Sequence, residues 1–539
     1  MIQIVATTPF EGQKPGTSGL RKKTAVFMQD HYVENFIQSL FDSLDPESYS
    51  GTVILSGDGR YYSEECVARV IAVGFANGVK RFLVGEDCLL STPAVSYMIR
   101  SIEDCKLGIL LTASHNPGGP ENDFGIKFNP ENGGPAASIL TDSVYEKTKT
   151  ITEYKKIDLF EYDLSTVGVY GTDDHILEVT SNTLMYVEYM KTLFDFGLLR
   201  QRIASGMNFL FDAMHGVTGP YAVEIFHKEL GLPMEYLLRC NPLPDFGGCH
   251  PDPNKTYAAD LVEMMESESA PVLGFASDGD GDRNMVLGKK FFVSPGDSAA
   301  VIVAKSALIP QFQAKPLAGV ARSMPTSAAV DAVAEKLDIP SYFVPTGWKY
   351  FVNLMESGKI DFCCEESFGT SSSHVREKDG IWAVMCWLTI IANDPEASVE
   401  EVMIKHWREF GRNVFTRYDY EHVESEKAND FITRLRSFIG RENEGFVIEE
   451  YRYVDQIDGS VAEKQGIIIR TSEFRIVFRL SGTGSSGATI RMYIERILSN
   501  TNAMLADPTA ELLKPAIEFA LDVTELHQYT PHPYPTVIT

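Results

Sequence analysis

The sequence predicts an α/β protein of several domains that closes on an α+β segment. Three observations carry this. The chain has 539 residues, too many for one ordinary core and suited to three or four domains at roughly 150 residues each. Short apolar or β-branched runs alternate with longer stretches of helical spacing, the rhythm of mostly parallel strands covered on both faces. Towards the C-terminus the rhythm changes to strands paired around turns.

The elements follow in order. Thr52–Leu55 is a β-branched run that ends in the loop SGDGR. Ser63–Phe75 has helical spacing, with Val67, Val70, Ile71 and Val73 as its apolar stripe. Arg81–Val84 is a second strand, and Lys106–Leu111 a third that ends in TASHNPGG. The pattern then restarts. Asn208–Phe211 leads into DAMHGVTGP, Val272–Ala276 into SDGDGDR, Gly319–Arg322 into SMPTS and Ile360–Cys364 into EESFG. Each strand delivers a polar or glycine-rich loop at its C-terminal end, where open α/β sheets place ligands. Trp382–Ala392 reads as a buried helix, too short for the roughly 20 residues of a membrane span. Thr416–Glu421 and Phe446–Asp455 lean towards strand. Ile467–Arg470 and Phe474–Leu480 read as strands around a turn, followed by the loop SGTGSSGAT and the strand Ile490–Ile494. The expected units are residues 1–187, 188–293, 294–410 and 411–539.

The formal net charge of −26 excludes a general nucleic-acid or anionic-membrane binder, which needs a basic face. It leaves room for an anionic small molecule in a local basic pocket. The eight cysteines form no CxxC pair, so they read as reduced thiols of a cytoplasmic protein rather than a zinc site. The N-terminus lacks the basic-then-apolar pattern of a signal peptide.

Four loops hold the chemistry. In Thr112-Ala113-Ser114-His115-Asn116-Pro117, a serine follows a buried strand and Asn-Pro favours a tight turn. It could be a nucleophile or phosphate carrier, with His115 bonding a phosphoryl oxygen. By themselves these residues favour a plain polar strand-to-helix turn, and no GxSxG elbow surrounds Ser114. In Asp278-Gly279-Asp280-Gly281-Asp282-Arg283, glycines let three carboxylates converge, and a cation is what stabilises them there. Oxygen ligands suit Mg²⁺ or Ca²⁺. The EF-hand glutamate is absent, since the twelfth position is Lys289, which favours Mg²⁺ over Ca²⁺. A solvated acidic turn is the lesser alternative. In Arg479-Leu480-Ser481-Gly482-Thr483-Gly484-Ser485-Ser486-Gly487, with Arg491 beyond, hydroxyls, freed N–H groups and arginines make an anion nest. The Walker pattern is missing, so a bound but untransferred phosphate fits, against a flexible hairpin connection. Cys364-Glu365-Glu366-Ser367-Phe368-Gly369 suits sugar hydroxyls and equally a helix N-terminus. His374–Gly380 offers Lys378, a proton shuttle if desolvated or part of a solvated turn. Pro15–Arg21 adds Thr17 and Arg21 as anion contacts. Thr346-Gly347-Trp348 could set an aromatic edge by a sugar, although such a tryptophan is more often core.

These loops, in this order, resemble the α-D-phosphohexomutase superfamily, and within it the eukaryotic-type phosphoglucomutase branch. The resemblance runs from KPGTSGLRKK to RLSGTGSSGATIR and rests most on TASHNPGGPENDFGIKFN with DGDGDRN, supported by CEESFG, HVREKDG and PTGWK. One departure is the pair Cys363-Cys364, where glycine commonly follows a cysteine. The resemblance implies a four-domain phosphohexomutase architecture, three mixed α/β domains plus a C-terminal α+β domain around a central cleft. It implies a phosphoserine at Ser114 and Mg²⁺ on Asp278, Asp280 and Asp282 with a phosphoserine oxygen. Glu365, Ser367, Thr346 and Gly347 would read the sugar. Arg479, Ser481, Gly482, Thr483 and Arg491 would bind the idle phosphate. Arg283, His115, Lys127 and Lys378 would handle charge or protons, with Arg21 and Thr17 lining the cleft. The implied activity interconverts glucose 1-phosphate and glucose 6-phosphate through glucose 1,6-bisphosphate. The alternatives are a phosphomannomutase or N-acetylhexosamine counterpart, a glucose-1,6-bisphosphate synthase, or a non-catalytic phosphoprotein partner in trafficking or structure. The intact Ser114, His115, Asn116 and Lys127 argue against the last. Small sugar phosphates are the expected partners of a cytoplasmic monomer or weak dimer, with no nucleic acid and no membrane insertion.

Overall fold

The computed structural model describes residues 1–16, 18–441, 445–484 and 487–539. Its first sheet has seven strands, in the order Leu20–Lys23, Asp123–Pro130, Cys105–Leu111, Thr52–Gly57, Arg81–Gly85, His175–Thr180 and Gly168–Thr172. The four strands from Cys105–Leu111 to His175–Thr180 run parallel and the margins antiparallel. The helix Tyr32–Phe41 covers it through Tyr32, Val33, Phe36, Ile37, Leu40 and Phe41, a stripe at helical spacing. Thr92–Ser101 starts with Pro93 in its first turn, and Ser91 Oγ accepts the Ala94 N–H at 3.3 Å, as N-caps do.

The second sheet orders Leu237–Leu238, Phe209–Asp212, Leu273–Ser277, Asn284–Gly288 and Phe291–Val293. The third orders Ser341–Val344, Val320–Ser323, Phe362–Glu365 and Gly369–Ser372. Both begin parallel and end antiparallel. The fourth is antiparallel throughout and backed by the helices Ser425–Arg436 and Thr509–Thr524. The fold is therefore three mixed α/β units and a C-terminal α+β unit around a cleft.

Three expectations need correction. The sheets are mixed rather than mostly parallel. The serine loop also leads into a strand, Cys105–Leu111 pairing antiparallel with Asp123–Pro130. The metal loop likewise joins Leu273–Ser277 to Asn284–Gly288, and Glu365 pairs with Gly369 across a tight turn rather than starting a helix. Ser481–Gly484, read as loop, belongs to the strand Phe474–Gly484, and Gly484 pairs with Gly487. An antiparallel return needs only a short turn, whereas a parallel one needs a crossover. Each loop is thus pinned at both ends by a ladder.

The largest apolar core runs through the second, third and C-terminal units, and the first sheet keeps its own. The helix Gly380–Asn393 is buried from Gly380 to Ala392. Its tryptophans satisfy their N–H groups internally, Trp382 on Gln311 Oε1 and Trp387 on Ser298 Oγ. All eight cysteines are free, six of them buried. Among the described residues no helix is long and apolar enough to cross a membrane.

One core histidine gives a pH prediction. His406 lies in the helix Val399–Phe410 against the Phe410 ring, and burial pushes its imidazole down to about 4 from 6.5. A depressed histidine binds fewer protons folded than unfolded, so stability is lost as pH falls below the unfolded value towards the folded one. Over that window the loss from this site is about 2–3 kcal/mol. His406→Phe is expected to flatten the stability decline between pH 6.5 and pH 4, measured by urea unfolding. An unchanged slope would show that His406 is not a source of it.

Candidate functional site

The four pinned loops meet in one cleft of about 910 Å³. Ser114 sits on its wall, held from behind. Thr112 Oγ1 donates to Asp58 Oδ2 at 2.6 Å and accepts the Ser114 N–H at 2.8 Å. Arg60 grips Asp58 through Nε and Nη2 and donates from Nη2 to the Ser114 carbonyl at 3.0 Å. These bonds keep Ser114 at φ 54°, a left-handed conformation that costs a non-glycine residue roughly 1–2 kcal/mol. Its Oγ donates to Asp278 Oδ2 at 2.9 Å, and His115 Nδ1 lies 3.3 Å away.

The metal loop faces it. Asp278 Oδ1 accepts the N–H groups of Asp282 and Arg283 at 2.9 and 3.0 Å, a turn that needs Gly281 at φ +80°. A Cβ on Gly279 would lie 2.7 Å from the Ser114 carbonyl, so glycine is what allows the two loops to touch. Asp280 Oδ2 accepts from Thr92 Oγ1 at 2.8 Å, and Lys378 Nζ stands 3.0 Å from Asp282 Oδ2. One oxygen of each of Asp278, Asp280 and Asp282 lies within 4.8 Å of the others. Burial, then Asp280 and Asp282, push the Asp278 carboxyl well up. Burial acts the same way on Asp280, but Lys127 and the Thr92 bond outweigh it and hold that carboxyl down. Asp280 Oδ1 and Asp282 Oδ1 are buried with no donor. Buried acceptors without donors are costly, and a hard cation with oxygen ligands is what this set fits.

Cations ring the serine. Arg283 pairs with Asp252 at 3.1 Å. Lys127 Nζ donates to Glu377 Oε1 at 2.8 Å, and burial pushes Glu377 up. Burial lowers Arg21. Burial, then Arg283 and Arg21, hold His115 well below the ordinary histidine value. Burial is the largest single influence on Lys378 and lowers it, but Asp282, Glu365 and Asp278 together outweigh it and leave the ammonium raised.

Glu365 ends its strand beside the cleft and accepts the Gly347 N–H at 3.2 Å; burial pushes it up. Thr346 Oγ1 is buried and unpartnered, and Ser367 lines the same wall. Trp348 packs in the core and also lines the cleft, with Lys378 Nζ 5.9 Å from its ring centroid. At the far end the ladder sets Arg479 opposite Arg491, and Arg491 opposite Asp419. Ser481 also faces the cleft. Thr17, Ser485 and Ser486 lie outside the described residues, as do the side chains of Gly482 and Thr483.

Every other residue singled out from the sequence lines this cleft, apart from Asp278, which lies beneath it with no exposure. The sequence reading missed the supports: Asp58, Arg60, Thr92, Asp252, Glu377 and Arg417. Asp58 and Arg60 stood in SGDGR, a polar loop after a strand like the others. Arg417 and Asp419 alternate along one strand, which places both on one face.

Comparisons with known proteins agree in all four units. Residues 12–155, 185–291 and 295–410 match the family descriptions "Phosphoglucomutase/phosphomannomutase, alpha/beta/alpha" domain I, domain II and domain III. Residues 412–536 match "Phosphoglucomutase-1, C-terminal domain". The chain is 49% identical to the chloroplastic phosphoglucomutase of Arabidopsis thaliana, over 100% of this chain and 89% of that one. It is 47% identical to Phosphoglucomutase-1 of Homo sapiens, over 100% of both. Among solved structures it is similar to the open form of a Paramecium exocytosis-sensitive phosphoprotein, pp63/parafusin, also described as a phosphoglucomutase. That likeness has a TM-score of 0.92 at 44% identity and covers 100% of this chain and 99% of that one.

Proposed function

The chain belongs to the phosphoglucomutase/phosphomannomutase family, and on that premise we propose that it interconverts glucose 1-phosphate and glucose 6-phosphate through a phosphoryl group carried on Ser114. The observation that carries this reading is the polarity of the cleft. A nucleophilic hydroxyl among cations and carboxylates, a cross-strand pair of arginines and the buried carboxylate Glu365 all face the same cleft.

The substrate's own phosphate rests on Arg479, Ser481 and Arg491, with Thr483 as a further hydroxyl. Its 6-hydroxyl attacks the phosphorus on Ser114. The new O–P bond forms, the Ser114 O–P bond breaks, and the hydroxyl proton ends on the departing serine oxygen. His115 Nδ1 lies 3.3 Å from Ser114 Oγ and is placed to hydrogen-bond the serine oxygen as it departs. Lys127, Lys378, Arg283 and Arg21 offset charge on the transferring oxygens. Glucose 1,6-bisphosphate results. It turns over on the sugar-reading Glu365, Ser367, Thr346 and Gly347, and the second transfer restores the phosphoserine. Asp278, Asp280 and Asp282, with a phosphoserine oxygen, would hold Mg²⁺, which when bound acts as a Lewis acid on phosphoryl oxygens. The proposal includes a cytoplasmic monomer or weak dimer as the working form.

Mass spectrometry of the protein before and after glucose 1,6-bisphosphate with Mg²⁺ tests it. We expect one added phosphate on Ser114, lost on incubation with glucose 6-phosphate. Folded protein that never takes phosphate at that residue sinks the reading.

A further inference from the structure

The C-terminal sheet and the sugar loop are joined by a buried chain of charges that the transfer chemistry does not use. The ladder places Arg479, Arg491 and Asp419 in one cross-strand row. One row along, on the same face, stand Val477, Tyr493 and Arg417. Arg417 Nη1 donates to Glu366 Oε2 at 2.9 Å, and its Nε lies 3.0 Å from Asp419 Oδ1. Asp419 Oδ2 in turn lies 3.5 Å from Arg491 Nε. The side chains of Arg417, Glu366 and Asp419 are almost wholly buried. Glu366 is fixed from its other side as well, its N–H on Thr326 Oγ1 at 2.9 Å. Arg475 of the C-terminal sheet holds the same segment, donating to the carbonyls of Met324 and Thr326.

Glu366 is the neighbour of Glu365. The chain therefore begins beside the residue that faces the sugar and ends on the arginine that faces the phosphate. Those two groups belong to different sheets, and nothing in either sheet alone sets the distance between them. We propose that Arg417 is a positioning residue that fixes the spacing between the sugar-reading loop and the distal phosphate site. The inference rests on the proposed mutase reading.

The geometry explains why a guanidinium serves here. A hexose phosphate has a set separation between its phosphate and the hydroxyl that must meet Ser114. The planar fork of Arg417 donates a hydrogen bond to Glu366 from Nη1 and stands as an ion pair to Asp419 through Nε, so two nitrogens of one rigid group hold two carboxylates, which the single nitrogen of an ammonium cannot do. Arg417 Nε, Asp419 Oδ1, Arg491 Nε and the Tyr493 hydroxyl are buried without a well-formed hydrogen bond. They form a compact polar group beside the arginine row.

The test uses the full-length chain, labelled on Ser114 from glucose 1,6-bisphosphate. Loss of label to glucose 1-phosphate and loss to water are followed separately for wild type, Arg417→Lys and Glu366→Gln. In both variants we expect transfer to the sugar to slow about 10- to 100-fold, the effect of misplacing a reacting group by around an ångström. Loss to water should stay close to wild type, because the groups around Ser114 are untouched, and KM for glucose 1-phosphate should rise. A variant that transfers to sugar like wild type overturns the inference. So does one whose sugar and water losses fall together with its melting temperature, the mark of a merely structural pair. Glu366→Gln keeps the shape of its site and gives the same reading if Arg417→Lys does not fold. A wild-type chain that takes no label fails earlier and overturns the mutase reading itself.

Discussion

Ser114→Ala is expected to lower turnover of glucose 1-phosphate by at least about 10⁴-fold, the scale on which loss of a nucleophile is felt. The fold should survive. The hydroxyl's one buried donation is to Asp278 Oδ2, and Asp278 keeps two backbone N–H donors on its other oxygen. A bond to a carboxylate is worth about 1.5–3 kcal/mol net, less than the stability of a typical domain. The strained backbone at Ser114 is held by Thr112, Asp58 and Arg60 rather than by its own side chain, so alanine inherits the same conformation. Steady-state rates and a thermal melt, run side by side, check both halves. Substantial turnover with no phosphate at residue 114 would remove Ser114 from the chemistry.

The second large effect is a reversal. Three carboxylates lie within 4.8 Å of one another in a buried loop, and burial with mutual repulsion already pushes Asp278 well up. In chelator, Asp278→Asn replaces a carboxyl whose ionisation the buried loop already opposes, so the variant should melt at or above the wild-type temperature. With Mg²⁺ the order should invert. Wild type gains about 2.7 kcal/mol at roughly 100 times the dissociation constant of the ion, and the variant gains little. Activity at saturating substrate should fall by at least about 100-fold, as expected when a metal that polarises phosphoryl oxygens is poorly held. Melts in chelator and in Mg²⁺ decide it. A variant stabilised by Mg²⁺ as much as wild type would show that the three carboxylates do not hold the ion.

Much of this site was legible in the sequence because its chemistry is compressed. Three aspartates spaced by glycine can be read as a cation site from a six-residue string, and Arg479 with Arg491 flanks a glycine-rich run that marks an anion nest. Strand positions were legible for the same local reason: apolar runs such as Val272–Ala276 and Ile467–Arg470 stand out from their flanks. Pairing was not. Whether a strand returns parallel or antiparallel depends on partners far along the chain, so the hairpin after Ser114 looked like the approach to a helix. The supports were hidden for a related reason. Asp58 and Ser114 are joined through Thr112 only after folding, and the link from Arg417 to Glu366 spans two sheets. Neither makes a pattern in sequence. Glu366 shows the limit most directly. It is indistinguishable from Glu365 as a letter, yet Glu365 accepts the Gly347 N–H while Glu366 accepts from Arg417.

The hairpin setting of the loops also bears on how such a protein changes over generations. A ladder on each side fixes where a turn begins and ends, and it does so through backbone bonds that are indifferent to side-chain identity in the turn. Ser367, in the turn between Glu365 and Gly369, can therefore be exchanged without re-registering its sheet. Such a turn behaves as a cassette held between fixed strand ends, so a substitution inside it acts on what the cleft binds and leaves the sheet that presents it in register.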